Sequence, residues 1–344
     1  MKTRTGFLLR FGTVGIMLLV VMASGISPAV TSIVRAQGGI AGSFEANGKS
    51  LYIQCLGTGG AGAPTIVLET GEGAAGQAMK NLQLKLAERT MTCAYDRANT
   101  GSSSSAPKPR TGQNVIEDLH ALLAAANVPG PYVLVGHSAG GMFVQLYARK
   151  YADQVAGVVA MNPVPPAHPW LDEVSKIFTP EEYADEQGYY HGQNGESFDY
   201  LTASDQLAAA PPPPNVPFEM FISTIAQCDS PTDVCGKSYS TYERILKEVT
   251  AAWPRGHFSQ IEAGHDIYQE NVDAVVAVVE RVLPPGQTPS QPQSVSPGMP
   301  PTGGGVGLAD TMLRLGIVLA LLLVLTGSVL SRRGTRRMRH SARR

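Results

Sequence analysis

Short apolar and β-branched runs alternate with longer stretches of 3.6-residue apolar period through the middle of the chain. The runs at 51–55, 65–68, 91–95, 132–135, 155–161, 218–224 and 257–261 read as strands. The stretches 78–88, 114–126, 142–150, 239–252 and 267–282 carry the amphipathic pattern of helices. Such alternation predicts an α/β domain over 39–283, with a mostly parallel sheet covered by helices on both faces. One segment, 163–217, breaks the rhythm: it has no clean strand, is rich in Tyr, Glu, Gln and Pro, and ends in four consecutive prolines from Pro211 to Pro214. It reads as an insertion, and Trp170, Ile177, Phe178, Tyr183 and Phe198 give it side chains that can pack over something. Long insertions inside compact domains commonly serve as lids or binding loops.

The two ends follow other patterns. Lys2, Arg4 and Arg10 precede an apolar run at 11–34 and the small-residue pattern Val34-Arg35-Ala36, which together read as a signal peptide over 1–36. An uncleaved N-terminal anchor is the alternative. After 283 come a Pro/Ser/Gln/Gly linker at 284–307, an apolar segment at 311–331 read as a membrane span, and a basic tail at 332–344. The positive-inside rule keeps such a tail cytoplasmic. Both ends therefore predict an exported domain held at the cell surface by the membrane or the cell wall.

Four cysteines fit that compartment, since an even number outside the cell suggests disulfides. Cys55 and Cys93 lie in strand-like segments that can be neighbours, and Cys228 and Cys235 can close a short loop, but three pairings are open. No C-x-x-C or cluster of histidines accompanies them, so no metal is expected. A formal net charge of −1 gives no basic field for nucleic acid, and 43% hydrophobic content argues for a globular fold.

Chemistry concentrates around Gly136-His137-Ser138-Ala139-Gly140, a G-x-S-x-G sequence between a predicted strand and a predicted helix. A serine on that turn needs glycines two positions away on either side, and the helix start directs positive charge at a developing oxyanion. Ser138 is thus the candidate nucleophile, and its base should follow the last strand. His265 stands there, whereas His137 is inside the turn, His120 is on a helix, His168 and His191 are in the insertion and His257 begins a strand. The acid that orients the base should follow 218–224. Asp229 is the first acidic residue there, with Asp233 the alternative, and either can instead begin a turn or cap the next helix. Oxyanion donors are expected from the backbone N–H of Ala139 and of Glu72, the latter in Glu69-Thr70-Gly71-Glu72-Gly73.

These motifs resemble the α/β-hydrolase superfamily, in particular secreted bacterial members with a hydrolase-1 type of core. The likeness rests on Ile66-Val67-Leu68-Glu69-Thr70-Gly71, Cys93-Ala94-Tyr95-Asp96-Arg97-Ala98-Asn99-Thr100-Gly101, Asp118-Leu119-His120-Ala121-Leu122-Leu123, Val135 to Gly141, and Gly264-His265, in the family's order. It implies an eight-stranded, mostly parallel sheet with a lid after the sixth strand, at 163–217. Two departures are Thr70-Gly71 in place of His-Gly and Asn99 where Gly is common. The resemblance also implies a cofactor-free, carboxylesterase-like serine hydrolase acting on a small-molecule acyl substrate. Perhydrolase or carbon–carbon hydrolase chemistry and a non-catalytic surface binding module are the alternatives. Separately, Met299-Pro300-Pro301-Thr302-Gly303 resembles the LPxTG signal of sortase-anchored proteins with Met for Leu, which implies cleavage after Thr302. A plain membrane anchor is the other reading.

Overall fold

A computed structural model describes residues 39–284 except 61, 225–227, 229 and 231. Eight strands form one sheet in the order β1-β2-β4-β3-β5-β6-β7-β8. They are β1 Ala41–Ala46, β2 Lys49–Leu56, β3 Thr65–Glu69, β4 Thr92–Tyr95, β5 Tyr132–His137, β6 Val155–Met161, β7 Phe218–Ser223 and β8 Gly256–Ile261. β1 pairs antiparallel with β2 and β2 antiparallel with β4, while the other neighbours run parallel. Every residue of β3, β4, β5 and β7 is buried, because helices cover both faces of the centre of the sheet. The two-sided burial follows the pleat: Val67 joins one apolar core, while Ile66 and Leu68 join the other.

On the first face lie α2 (Gly112–Ala125), α3 (Ala139–Lys150) and α7 (Val234–Ala251); on the second lie α1 (Lys80–Ala87) and α9 (Val272–Val282). α2 begins on a reciprocal cap, in which Thr111 accepts from the Asn114 amide and Asn114 accepts from the Thr111 amide. The expected helix at 267–282 is two pieces, α8 (Ile267–Glu270) and α9. Asn271 (φ −137°) ends the first and caps the second, accepting from the Ala274 amide. α7 starts at Val234, before the predicted 239, because Asp233 accepts a hydrogen bond from the Gly236 amide and nucleates the extra turn.

One strand was not expected. β1 has the weak pattern Ala-Gly-Ser-Phe-Glu-Ala, and it is held by a two-residue hairpin, Asn47-Gly48, whose φ values of 49° and 70° suit the tight turn. The cysteine pairing is settled as Cys55–Cys93 and Cys228–Cys235. The first joins directly opposed residues of β2 and β4.

Between β6 and β7 the chain leaves the sheet for three helices: α4 (Ala167–Val174), α5 (Pro180–Tyr190) and α6 (Tyr200–Ala209). Their patterns are short and Tyr/Glu-rich, so the sequence showed no helix here. α5 nonetheless has Pro180 at its first turn and a capping box between Thr179 and Glu182. Trp170, Phe178 and Phe198 are buried, and Phe198 meets Phe143 of α3 edge-on with ring centroids 5.0 Å apart.

Among the described residues no helix is long and apolar enough to cross a membrane. The signal peptide expected at 1–36, the motif at 299–303, the apolar segment at 311–331 and the tail at 332–344 lie outside the described residues.

Candidate active site

Ser138 occupies the sharp turn from β5 into α3, with φ 53° and ψ −118°. A non-glycine residue held there stores strain on the order of 1–3 kcal/mol, which the surrounding structure must impose. Close backbone approach imposes it. A Cβ on Gly136 would lie 2.3 Å from the Gly140 carbonyl oxygen, and one on Gly140 would lie 2.3 Å from the Glu69 carbonyl oxygen. The Ser138 amide donates to the Met161 carbonyl at 2.9 Å, which ties the turn to the end of β6.

His265 stands between β8 and α8, and its loop is fastened at several points. Its carbonyl accepts from Asn162 Nδ2 and from His137 Nε2, both at 2.9 Å. Ser223 Oγ donates to the Gly264 carbonyl at 2.6 Å, and Asn162 Oδ1 accepts from the Ser223 amide at 2.7 Å. Because a carbonyl only accepts, His137 carries its proton on Nε2. Burial, and then its neighbour His265, lower the His137 pKa to about 3, so it stays neutral and serves as a fixed donor. Burial also lowers the pKa of His265, against a smaller opposing effect of Asp266. His265 is thereby kept in the unprotonated form a general base requires.

The loop after β3 is built around Arg97. Its Nη1 donates to Glu69 Oε1 (2.6 Å), the Thr70 carbonyl (2.8 Å) and Thr70 Oγ1 (2.9 Å), and its Nη2 donates to the Gly71 carbonyl (2.6 Å). The same Nη2 pairs with Glu196 of the insertion at 2.5 Å, and Glu196 also accepts from the Gly73 amide at 2.5 Å. Burial opposes the charge on Arg97, yet Glu69 and Glu196 outweigh it and push its pKa up. Glu69 is raised by burial, opposed by Arg97, and accepts a hydrogen bond from the Tyr95 hydroxyl. This cluster fixes the direction of one peptide group. With the Gly71 carbonyl turned to Arg97, planarity of the trans peptide turns the Glu72 N–H the opposite way. On that loop, a Cβ on Gly71 would lie 3.4 Å from Ser138 Cβ. Ala139, at the first position of α3, has an N–H with no partner inside its helix.

The expected acids fare differently. Asp233 caps α7: Oδ1 accepts from the Gly236 amide at 2.7 Å and Oδ2 from the Ser230 amide at 2.9 Å. Asp229 lies outside the described residues. Among the described residues no carboxylate hydrogen-bonds the His265 ring, and no hydrogen bond joins that ring to Ser138. Catalytic contacts of this kind are often loose without substrate.

Ser138 and His265 together line two cavities. One, of about 530 Å³, runs beneath the insertion past Trp170, Tyr190 and Tyr242. The other, of about 560 Å³, opens past Gly71, Glu72 and Tyr268. The arrangement can hold a substrate on both sides of a central serine. Asn162, Arg97 and Glu196 were missed from sequence. Asn162 left one signal, an asparagine at the end of a predicted strand followed by proline, and it adopts φ 41°. Glu196 left none.

The alpha/beta hydrolase fold family matches residues 64–179, from β3 through the serine turn into the insertion. The chain adopts the α/β-hydrolase fold. Among solved structures sharing that fold are a thermophilic esterase from Thermogutta terrifontis and the proline iminopeptidase of Mycobacterium smegmatis. The esterase has 18% identity and TM-score 0.50, with coverage of 70% of this chain and 97% of that one. The iminopeptidase has 15% identity and TM-score 0.51, with coverage of 70% and 96%. At such identities the likeness is one of fold. Of curated relatives, the YqjL protein of Bacillus subtilis is 33% identical over 123 residues, 36% of this chain and 47% of YqjL. The YbdG protein of the same organism is 33% identical over 106 residues, 30% of this chain and 32% of YbdG. The hydrolase-fold chain thus spans less than half the length of these curated relatives.

Proposed function

We propose that this protein is an exported serine hydrolase that cleaves an ester or related acyl bond of a small molecule through an acyl-Ser138 intermediate. The observation that carries the reading is the positive-φ Ser138, held between two glycines that admit no Cβ, with His265, whose pKa desolvation lowers, lining the same two cavities.

His265 takes the proton from Ser138 Oγ as the oxygen bonds to the substrate carbonyl carbon. The N–H groups of Ala139 and Glu72 receive the charge that develops on the carbonyl oxygen. The tetrahedral species collapses as protonated His265 gives its proton to the departing alkoxide, leaving the acyl group on Ser138. Water, deprotonated by His265, then attacks the acyl carbon; release of the acid restores Ser138. Asp229 is the acid that orients His265 in this reading, since Asp233 Oδ1 caps α7 and its Oδ2 accepts from the Ser230 amide. Asp229 falls in sequence between Cys228 and Cys235. The two disulfides support an oxidising, extracellular setting. Anchoring through the 311–331 segment, or by sortase cleavage after Thr302, completes the proposal.

The purified protein is expected to hydrolyse short p-nitrophenyl esters, and Ser138→Ala and His265→Ala to abolish turnover. Asp229→Asn should lower kcat on the order of 10³-fold or more, while Asp233→Asn costs about 1 kcal/mol of stability with kcat retained. Folded wild-type protein inert toward every ester would overturn the reading, and the opposite ranking of the two aspartates would reassign the acid.

A further inference from the structure

The cavity beneath the insertion has an unusual wall. Its aromatic rings come from Trp170, Tyr189, Tyr190, Tyr239 and Tyr242, and among the described residues one carboxylate, Glu186, stands within them. Three of the four tyrosine hydroxyls that would make such a wall polar are committed elsewhere. Tyr190 donates to the Pro165 carbonyl at 3.0 Å, Tyr242 to the Pro163 carbonyl at 2.9 Å and Tyr239 to the Ser223 carbonyl at 2.7 Å. Ser238 Oγ donates to the Val234 carbonyl at 2.6 Å, and both ends of the Asn162 amide are bonded as described above. These tyrosines therefore offer ring faces and edges to a ligand rather than donors.

Glu186 is positioned but has no counter-ion among the described residues; burial raises its pKa against the smaller opposing effect of the Trp170 hydrogen bond, a cost that a bound cation would relieve. Trp170 Nε1 donates to its Oε1 at 2.5 Å, which fixes the carboxylate with one oxygen still available. Among the described residues no cation pairs with it. The two lysines and the arginine of the adjoining α7 are engaged with other acids, Lys237 with Glu182, Lys247 with Glu243, and Arg244 with Glu173 and Glu248. Among the described residues no lysine or arginine lines the cavity. A carboxylate lacking a counter-ion inside an aromatic enclosure favours an organic cation, because ring faces and carboxylate both attract it and neither donates a hydrogen bond that a neutral ester would need.

We propose that the substrate of this site carries an alkylammonium group, on either its acyl or its alcohol half, that docks against Glu186 within these rings. The proposal rests on the serine hydrolase reading for the reaction. Water adds across the ester bond to give one acid and one alcohol, with the ammonium group unchanged.

The test compares cationic esters with neutral ones of the same shape. One pair is p-nitrophenyl 4-(trimethylammonio)butanoate and p-nitrophenyl 5,5-dimethylhexanoate; the other is 2-(trimethylammonio)ethyl butanoate and 3,3-dimethylbutyl butanoate. In at least one pair the whole protein should prefer the cation by about tenfold or more in kcat/KM, and Glu186→Gln should bring that ratio close to one. A parallel calorimetric titration with tetraethylammonium, on wild type, Ser138→Ala and Glu186→Gln, reads the site without turnover. Binding to the first two and loss in the third is expected. No cation preference in either pair together with no Glu186-dependent binding overturns the proposal. Glu186-dependent binding by a protein that hydrolyses no ester would instead overturn the hydrolase reading and leave the cation site standing. Thermal unfolding of Glu186→Gln, with a transition matching wild type, shows that a lost ratio is not lost folding.

Discussion

Ser138 can face two cavities only because Gly136 and Gly140 let three backbone segments meet behind it. The contact at Gly140 is to backbone, the Glu69 carbonyl oxygen, so nothing flexible can yield. Gly140→Ala is accordingly expected to lower the unfolding midpoint and remove most esterase activity, both visible in a melt and a p-nitrophenyl assay. Arg97 acts at one remove: it holds the Thr70 and Gly71 carbonyls so that the Glu72 amide is turned away from it. Arg97→Met should leave Glu69 and Glu196 buried without a counter-charge, at a cost of about 3–5 kcal/mol in urea unfolding, and should lower kcat more than it raises KM. His265 gives a pH prediction with a definite sign. Burial lowers its pKa from the ordinary 6.5, and the unprotonated ring is the form the proposed general base requires. kcat/KM should therefore hold through neutral pH and fall only as the pH drops below about 6.5, through the lowered value. A midpoint above 6.5 would contradict burial as the governing cause.

At the scale of elements, the parts of the site that local chemistry dictates were legible. A glycine-flanked serine between an apolar strand and a helix, and a histidine after the last strand, each announce themselves within a few residues. Contacts made across the chain did not. Glu196 reaches Arg97 across 99 positions and Asn162 reaches the His265 carbonyl across 103, and no local pattern encodes either. β1 was invisible because its six residues lack an apolar run and are held by hairpin pairing. The helices of the insertion were hidden because their buried side chains are tyrosines, tryptophan and phenylalanine spaced to meet one another rather than to make a regular stripe. The disulfides belong to this scale as well. Cys55–Cys93 spans 38 positions, so replacing both cysteines by Ala should cost about 3–4 kcal/mol through a less constrained unfolded chain. Cys228–Cys235 spans only 7, and its loss should cost about 2 kcal/mol. Its larger effect should be on turnover, since Cys235 lines the Ser138 cavity.

Over the whole molecule, the sheet sets the serine turn and the histidine loop at the same ends of parallel strands, and the insertion between β6 and β7 closes one cavity over them. That division explains why fold class was readable from alternating patterns while substrate choice was not: the sheet repeats a rule, whereas the cavity wall is an assembly of side chains from α4, α5 and α7. Arg97 and Glu196 join the two parts through one buried ion pair, so a change in the insertion is felt at the Glu72 amide. The central claim is that Ser138 is a nucleophile activated by His265. Reaction with a fluorophosphonate, followed by mass analysis of the peptide carrying the adduct, tests it most directly. One adduct is expected, on Ser138, absent in Ser138→Ala and formed far more slowly in His265→Ala. Folded protein that takes up no probe, or takes it up on another residue, would contradict it.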